Sequence, residues 1–123
     1  MIDSQSINLE DLVKSIGIDK DTIIELLGIY CYEMTEEMQQ VKLFLEKQEW
    51  SDMQRIIHNI KGVSSNLYLQ EMFEAAEILE LRLKNMDYKG IENSVRNLFD
   101  TFNETLNSIH IISNQQPLNS KEV

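Results

Sequence analysis

The stretch SDMQRIIHNIKGVSSN, residues 51–66, decides how the chain is read. Met53, Ile56, Ile57, Ile60 and Val63, with Leu67 just beyond, recur at the three- and four-residue spacing that gathers apolar side chains on one face of an α-helix. Ser51-Asp-Met-Gln54 has the form of a capping box and sets the expected start of this helix. Inside it stands Gly62, although glycine in a helix interior costs about 0.5–1 kcal/mol relative to alanine. A glycine at such a position needs a packing or functional reason.

Outward from this segment the same rhythm continues, and no segment of useful length alternates with period two, so no strand is predicted. A short helix over 8–16 is opened by Asn8 and closed by Gly17 as C-cap, and Asp19 restarts the chain. The helix over 20–47 carries Ile23, Leu27, Tyr30, Met34, Met38, Val41 and Leu45 on one stripe. The next, over 69–86, uses Leu69, Met72, Phe73, Ala76, Leu79 and Leu83, and the last, over 88–112, uses Ile91, Val95, Leu98, Phe102, Leu106 and Ile109. Four long amphipathic helices with short connections predict an all-α, antiparallel up-down four-helix bundle, with the short additional N-terminal helix as a lid or brace. Residues 1–112 form this one bundle. The tail SNQQPLNSKEV, residues 113–123, is polar, contains the chain's single proline and is expected to be disordered.

A chain of 123 residues can close a single core that buries roughly two-thirds of its unfolded surface. Its formal charge of −10 opposes binding to nucleic acid, which requires a basic stripe, and to an anionic membrane surface. One cysteine, Cys31, cannot form an internal disulfide, and its place beside the apolar stripe predicts a buried, unreactive thiol. With no signal peptide and no long apolar run, a soluble, cytoplasmic, monomeric protein is expected. The chain begins at Met1 without sign of an adjoining domain, which suggests a free-standing module, although a domain excised from a larger kinase would read the same.

At about 100° per residue, His58 falls almost opposite the apolar stripe of its helix. Gln54, Lys61, Gly62 and Ser65 share that outer face, with Arg55 at its edge. An imidazole in water is in good part neutral and nucleophilic near pH 7. Lys61, one turn on, offers a positive charge to an anion arriving on the ring, and Gly62 removes the side chain that would obstruct an approaching surface. No cleft and no second fixed acid–base group is implied, so the arrangement suits an exposed nucleophile serving a macromolecule better than a small-molecule enzyme. Ordinary surface chemistry gives the same spacing, and both readings stand on geometry alone.

The run His58-Asn-Ile-Lys61-Gly62-Val-Ser64-Ser65-Asn66-Leu67 resembles the histidine-containing phosphotransfer domain, whose signature is a histidine, two variable residues, Lys-Gly and small residues leading to a helix turn. Leu79-Glu80 matches a common pair in that family's next helix, and the likeness covers most of the chain. The resemblance implies a four-helix bundle in which His58 accepts a phosphoryl group from an aspartyl phosphate on a receiver domain and passes it to another. Lys61 would favour the phosphorylated state, and Gly62 would keep the approach open. The partners implied are response-regulator receivers and a hybrid sensor histidine kinase. The receiver would supply the catalytic aspartate and a magnesium ion, and this chain would then be a phosphocarrier with no cofactor or metal of its own, not an enzyme. Where the family usually ends this motif on glycine, the sequence has Tyr68; the expected remedy is that Asn66 takes the left-handed conformation or that the turn differs.

Antiparallel pairing through a turn near residues 67–68 brings Glu77 and Glu80 level with His58. Glu80, at the boundary of its core face, can hydrogen-bond the imidazole or pair structurally with a neighbouring helix. The same reflection through the loop near 48 brings Gln39 and an outward-facing Leu43 to the level of the histidine, as the rim and apolar centre of a partner-docking patch that would include Gln54, Arg55 and Ser65. No Gly-rich nucleotide motif is present. A di-iron bundle needs Glu-x-x-His, but Arg55 and Asn107 precede His58 and His110 by three. A calcium loop at Asp19 fails at Ile24 and Tyr30. His110 complements the dipole at the end of its helix. The alternative to a phosphocarrier is a helical adaptor that binds a signalling partner without carrying phosphate.

Overall fold

The computed structural model describes residues 7–115. Five α-helices follow in order: α1 (Leu9–Ile16), α2 (Lys20–Lys47), α3 (Trp50–Asn66), α4 (Gln70–Lys84) and α5 (Ile91–Gln115), with a single 3₁₀ turn (Tyr88–Gly90) before α5. There is no strand among the described residues. α3 packs between α2 and α4, α4 against α5, and α5 back against α2, so α2 to α5 close an antiparallel four-helix bundle. α1 braces α2, and its N-cap Asn8 with Asp11 and Leu12 borders the end of the bundle at Tyr68, Met72 and Thr105. α5 runs three residues beyond the expected bound at 112, and residues 116–123 of the expected disordered tail lie outside the described residues.

Apart from Phe73, which is half-buried and outside the core, the apolar stripes read from sequence form the core. Ile23, Leu27, Tyr30, Met34, Met38 and Val41 of α2 meet Met53, Ile57 and Ile60 of α3, Met72, Ala76, Leu79 and Leu83 of α4, and Ile91, Val95, Leu98, Phe102 and Ile109 of α5, all buried. Leu45, Ile56, Val63, Leu67 and Leu106 pack half-buried around them. Cys31 is half-buried too, and burial pushes its thiol pKa up, away from reactivity. A buried hydrogen bond of 2.8 Å joins the Tyr30 hydroxyl to the Ser64 hydroxyl and ties α2 to α3 two turns from His58. Tyr30→Phe leaves the Ser64 hydroxyl buried without that partner. Its expected cost is about 1–2 kcal/mol, read as a lower denaturant midpoint at unchanged slope.

Helix ends explain the turns. Asn8 and Asp19 cap α1 and α2 by accepting from the backbone N–H groups of Asp11 and Thr22, and Gly17 closes α1 at φ 84°. The expected capping box at Ser51 does not form: α3 begins one residue earlier at Trp50, and its N-cap, Glu49, makes no side-chain cap. The start is set instead by the preceding turn, in which Gln48 (φ 56°) bonds back to Leu45 and Glu49 to Phe44. The α3–α4 turn repeats this pattern. Tyr68 N–H bonds to the Ser65 carbonyl at 3.0 Å and Leu69 N–H to that of Ser64 at 2.9 Å, with Tyr68 itself left-handed at φ 57°. This is a Schellman motif with tyrosine where glycine is favoured. Asn66 remains the last helical residue, which corrects the expectation that it takes the left-handed position. A Cβ in this region costs roughly 1–2 kcal/mol, offset in part by the greater unfolded-state freedom of glycine. Tyr68→Gly is therefore expected to raise the unfolding midpoint, by up to about 1 kcal/mol in stability.

Candidate functional site

Two neighbouring helices build the site. α3 presents His58 and Lys61, one turn apart, and α4 presents Glu80 and Lys84, also one turn apart, across the α3–α4 seam. The Glu80 side chain is 3% exposed, and three cationic or protonatable groups surround it. Its Oε2 lies 2.7 Å from His58 Nδ1 and 3.7 Å from Lys84 Nζ, and its Oε1 lies 2.6 Å from Lys61 Nζ. Burial opposes the charge on this carboxyl. The hydrogen bonds from Lys61 and His58 and the fields of Lys61 and Lys84 outweigh that penalty, and the pKa is held below the ordinary carboxylate value. Glu80 in turn raises the pKa of Lys61 by accepting its hydrogen bond, against a smaller effect of desolvation.

An ionised carboxylate only accepts hydrogen bonds, so the Glu80 contact requires a proton on His58 Nδ1. The neutral ring then carries its lone pair on Nε2. With the His58 side chain 68% exposed, that nitrogen is open to a partner while the ring is fixed from below. The arrangement thus holds a nucleophilic nitrogen in one tautomer and one orientation at the surface, beside two ammonium groups.

Around the ring lies a shallow recess lined by Ser51, Gln54, Arg55, His58, Glu80 and Lys84. Arg55 is paired to Asp52 at 2.7 Å along its own helix. Gly62 and Ser65 are exposed further along α3. A Cβ built on Gly62 meets nothing within 4 Å, so the fold itself gives no reason for this glycine.

The structure brings His58, Lys61, Glu80, Gln54 and Arg55 together, but not Gln39 or Leu43. Glu37 Oε1 and Oε2 each accept from the Asn59 amide at 2.9 Å, which marks the edge of α2 that meets α3. Gln39 and Leu43 lie about 200° and 240° further round α2, on faces turned from α3, and neither borders the recess. The recess is also lined by Lys84 and by Ser51, which the sequence marks only as a helix cap and not as part of the site. Lys84 did leave a signal, because a lysine four residues after a glutamate on a helix is a favourable pair.

The family model described as the Hpt domain matches residues 25–110, from the first turns of α2 to His110 and across the whole site. The chain belongs to the Hpt domain family. Hpt domains are phosphocarriers that perform histidine phosphotransfer in the phosphorelays of two-component signalling, and they work with receiver and kinase partners. Comparison of this Hpt domain with curated proteins and with solved structures gave no match. Among the described residues, no helix of the Hpt domain is long and apolar enough to cross a membrane.

Proposed function

We propose that His58 Nε2 accepts a phosphoryl group from an aspartyl phosphate on one receiver domain and returns it to the aspartate of another. The observation that carries this reading is the bond between His58 Nδ1 and the buried Glu80, which leaves Nε2 as the exposed nucleophile. In the forward step the Nε2 lone pair forms the N–P bond, the acyl-phosphate P–O bond breaks, and the aspartate leaves as carboxylate. The ring keeps its Nδ1 proton and takes on positive charge as the bond forms. Glu80 stabilises that charge, as a carboxylate stabilises an imidazolium in hydrolytic triads. No proton changes hands, so the reverse step needs no additional acid or base.

A lone carboxylate beside the ring would also repel the arriving phosphoryl group. Lys61, bonded to Glu80 at 2.6 Å, offsets that repulsion while leaving the Nδ1 contact intact. Gly62 supplies clearance: the fold would accept a Cβ there, and its place one turn from His58 makes an approaching surface the reason for the glycine. Gly62→Ala is expected to stabilise the fold by about 0.5–1 kcal/mol while slowing transfer from a receiver. Gly28, equally uncrowded but on α2, provides the comparison: Gly28→Ala should give the same gain in thermal midpoint with transfer unchanged. Equal transfer rates in the two variants would remove the clearance role.

The reading is tested by mixing the protein with a receiver carrying labelled aspartyl phosphate. Label moves to the Hpt domain in an adduct that is lost in acid and persists in base, the behaviour of a phosphoramidate. Binding without transfer would instead favour the adaptor reading.

A further inference from the structure

Lys61 is the lysine that the sequence motif points to, yet the structure commits it elsewhere. Its side chain is 21% exposed and its ammonium is held at 2.6 Å by the buried Glu80 carboxylate. Lys84 reaches the same carboxylate only at 3.7 Å, beyond hydrogen-bonding distance, with 50% of its side chain exposed, and it borders the recess together with His58. One ammonium is therefore hydrogen-bonded, and the other is held only by a longer ion pair at the more exposed side of the same carboxylate. From these distances we infer that Lys84 is the residue that contacts the phosphoryl group on His58, while Lys61 stays on Glu80 and acts through it. Lys84 is thus a ligand of the phosphorylated state. Other charged groups around the ring are otherwise engaged: Arg55 is paired with Asp52, and Glu77 acts on Lys61.

This rests on His58 being the phosphorylated residue, and the test separates the two claims. The full chain is phosphorylated with phosphoramidate, a small donor that needs no partner. Nε2 forms the new N–P bond, the donor P–N bond breaks, ammonia leaves, and the ring keeps its Nδ1 proton. Peptide mapping at neutral pH then places the adduct, and phosphorus NMR follows the titration of the phosphoryl group. A cation in contact favours the dianion and lowers the midpoint. Lys84→Met should raise that midpoint by about half a unit, the size of a partly exposed charge contact. Lys84→Arg should restore it, and Lys14→Met, on α1, should leave it unchanged. A midpoint in Lys84→Met equal to that of the parent, or an equal shift in Lys14→Met, overturns the assignment of Lys84 and leaves His58 in place. Absence of an adduct at His58 in the parent protein removes both.

Discussion

His58→Gln is expected to take no label from a phosphorylated receiver, while folding and melting as the parent does. The expectation has two parts, each with its own cause. The side chain is 68% exposed and hydrogen-bonds Glu80, to which a glutamine amide can still donate, so the fold loses little. Transfer, in contrast, loses the nitrogen proposed to form the bond, because an amide nitrogen is not a nucleophile under these conditions. The effect is a loss to background and not a partial reduction. Far-UV circular dichroism and the thermal midpoint show that the variant is folded, and label incorporation over time measures the loss. Residual incorporation above a few per cent would mean that another residue accepts the phosphoryl group.

The second large effect is expected at Glu80. Glu80→Gln keeps an acceptor near Nδ1 but removes the negative charge, and the transfer rate should fall by roughly tenfold. Glu80→Ala removes both the fixed orientation and the charge, and the fall should approach about a hundredfold. A structural cost accompanies it, since Lys61, largely covered, loses its partner. Lys61 recovers part of what it loses by turning to water. The pH dependence carries the same signature. Glu80 has a folded-state pKa depressed below the unfolded one, so its contribution to stability is complete above the unfolded carboxyl value and is lost as the pH falls through the folded value. The stability gap between the parent and Glu80→Gln should therefore be constant near neutrality and close on acidification below about pH 4. A gap that widens with acid would show that Glu80 is not held ionised by its neighbours.

Helical periodicity made most of the fold legible. The stripes of α2 to α5 have few interruptions, and their apolar residues could be covered only by one another. What sequence alone did not disclose lies where local preference is overridden. Gln48, Tyr68 and Met86 each take positive φ in helix-terminating turns, and none is the glycine or asparagine that marks such a position. A tyrosine at 68 opposes a left-handed turn, yet the closing hydrogen bonds of Tyr68 to Ser65 and of Leu69 to Ser64 impose that turn on it. Ser51 looked like a cap because its pattern is that of a capping box, but the chain reversal at Gln48 starts the helix before it. Ser64 shows the same limit in the core. It shares the helix face of Met53, Ile57 and Ile60, yet its partner Tyr30 is on another helix, and no single-helix pattern pairs them.

The site was legible in parts for the same reason. His58, Lys61 and Gly62 lie within one turn of each other, so helix geometry alone assembles them. Glu80 came within reach through the antiparallel register of α3 and α4, which the short connecting turn nearly fixes. Lys84 needed both the register and the direction of a long side chain. Gln39 and Leu43 show how register can mislead: being level with a residue along a bundle does not place a side chain on its face, and Glu37 is the residue that α2 turns toward α3.

The central claim concerns one atom, and one measurement addresses it. After transfer from a phosphorylated receiver to protein labelled with nitrogen-15 in histidine, nitrogen–phosphorus coupling identifies the bonded nitrogen. The structure predicts coupling to Nε2 of His58, with Nδ1 still protonated against Glu80. Coupling to Nδ1, to a nitrogen of His110, or to no histidine nitrogen in a protein that carries the label would contradict it.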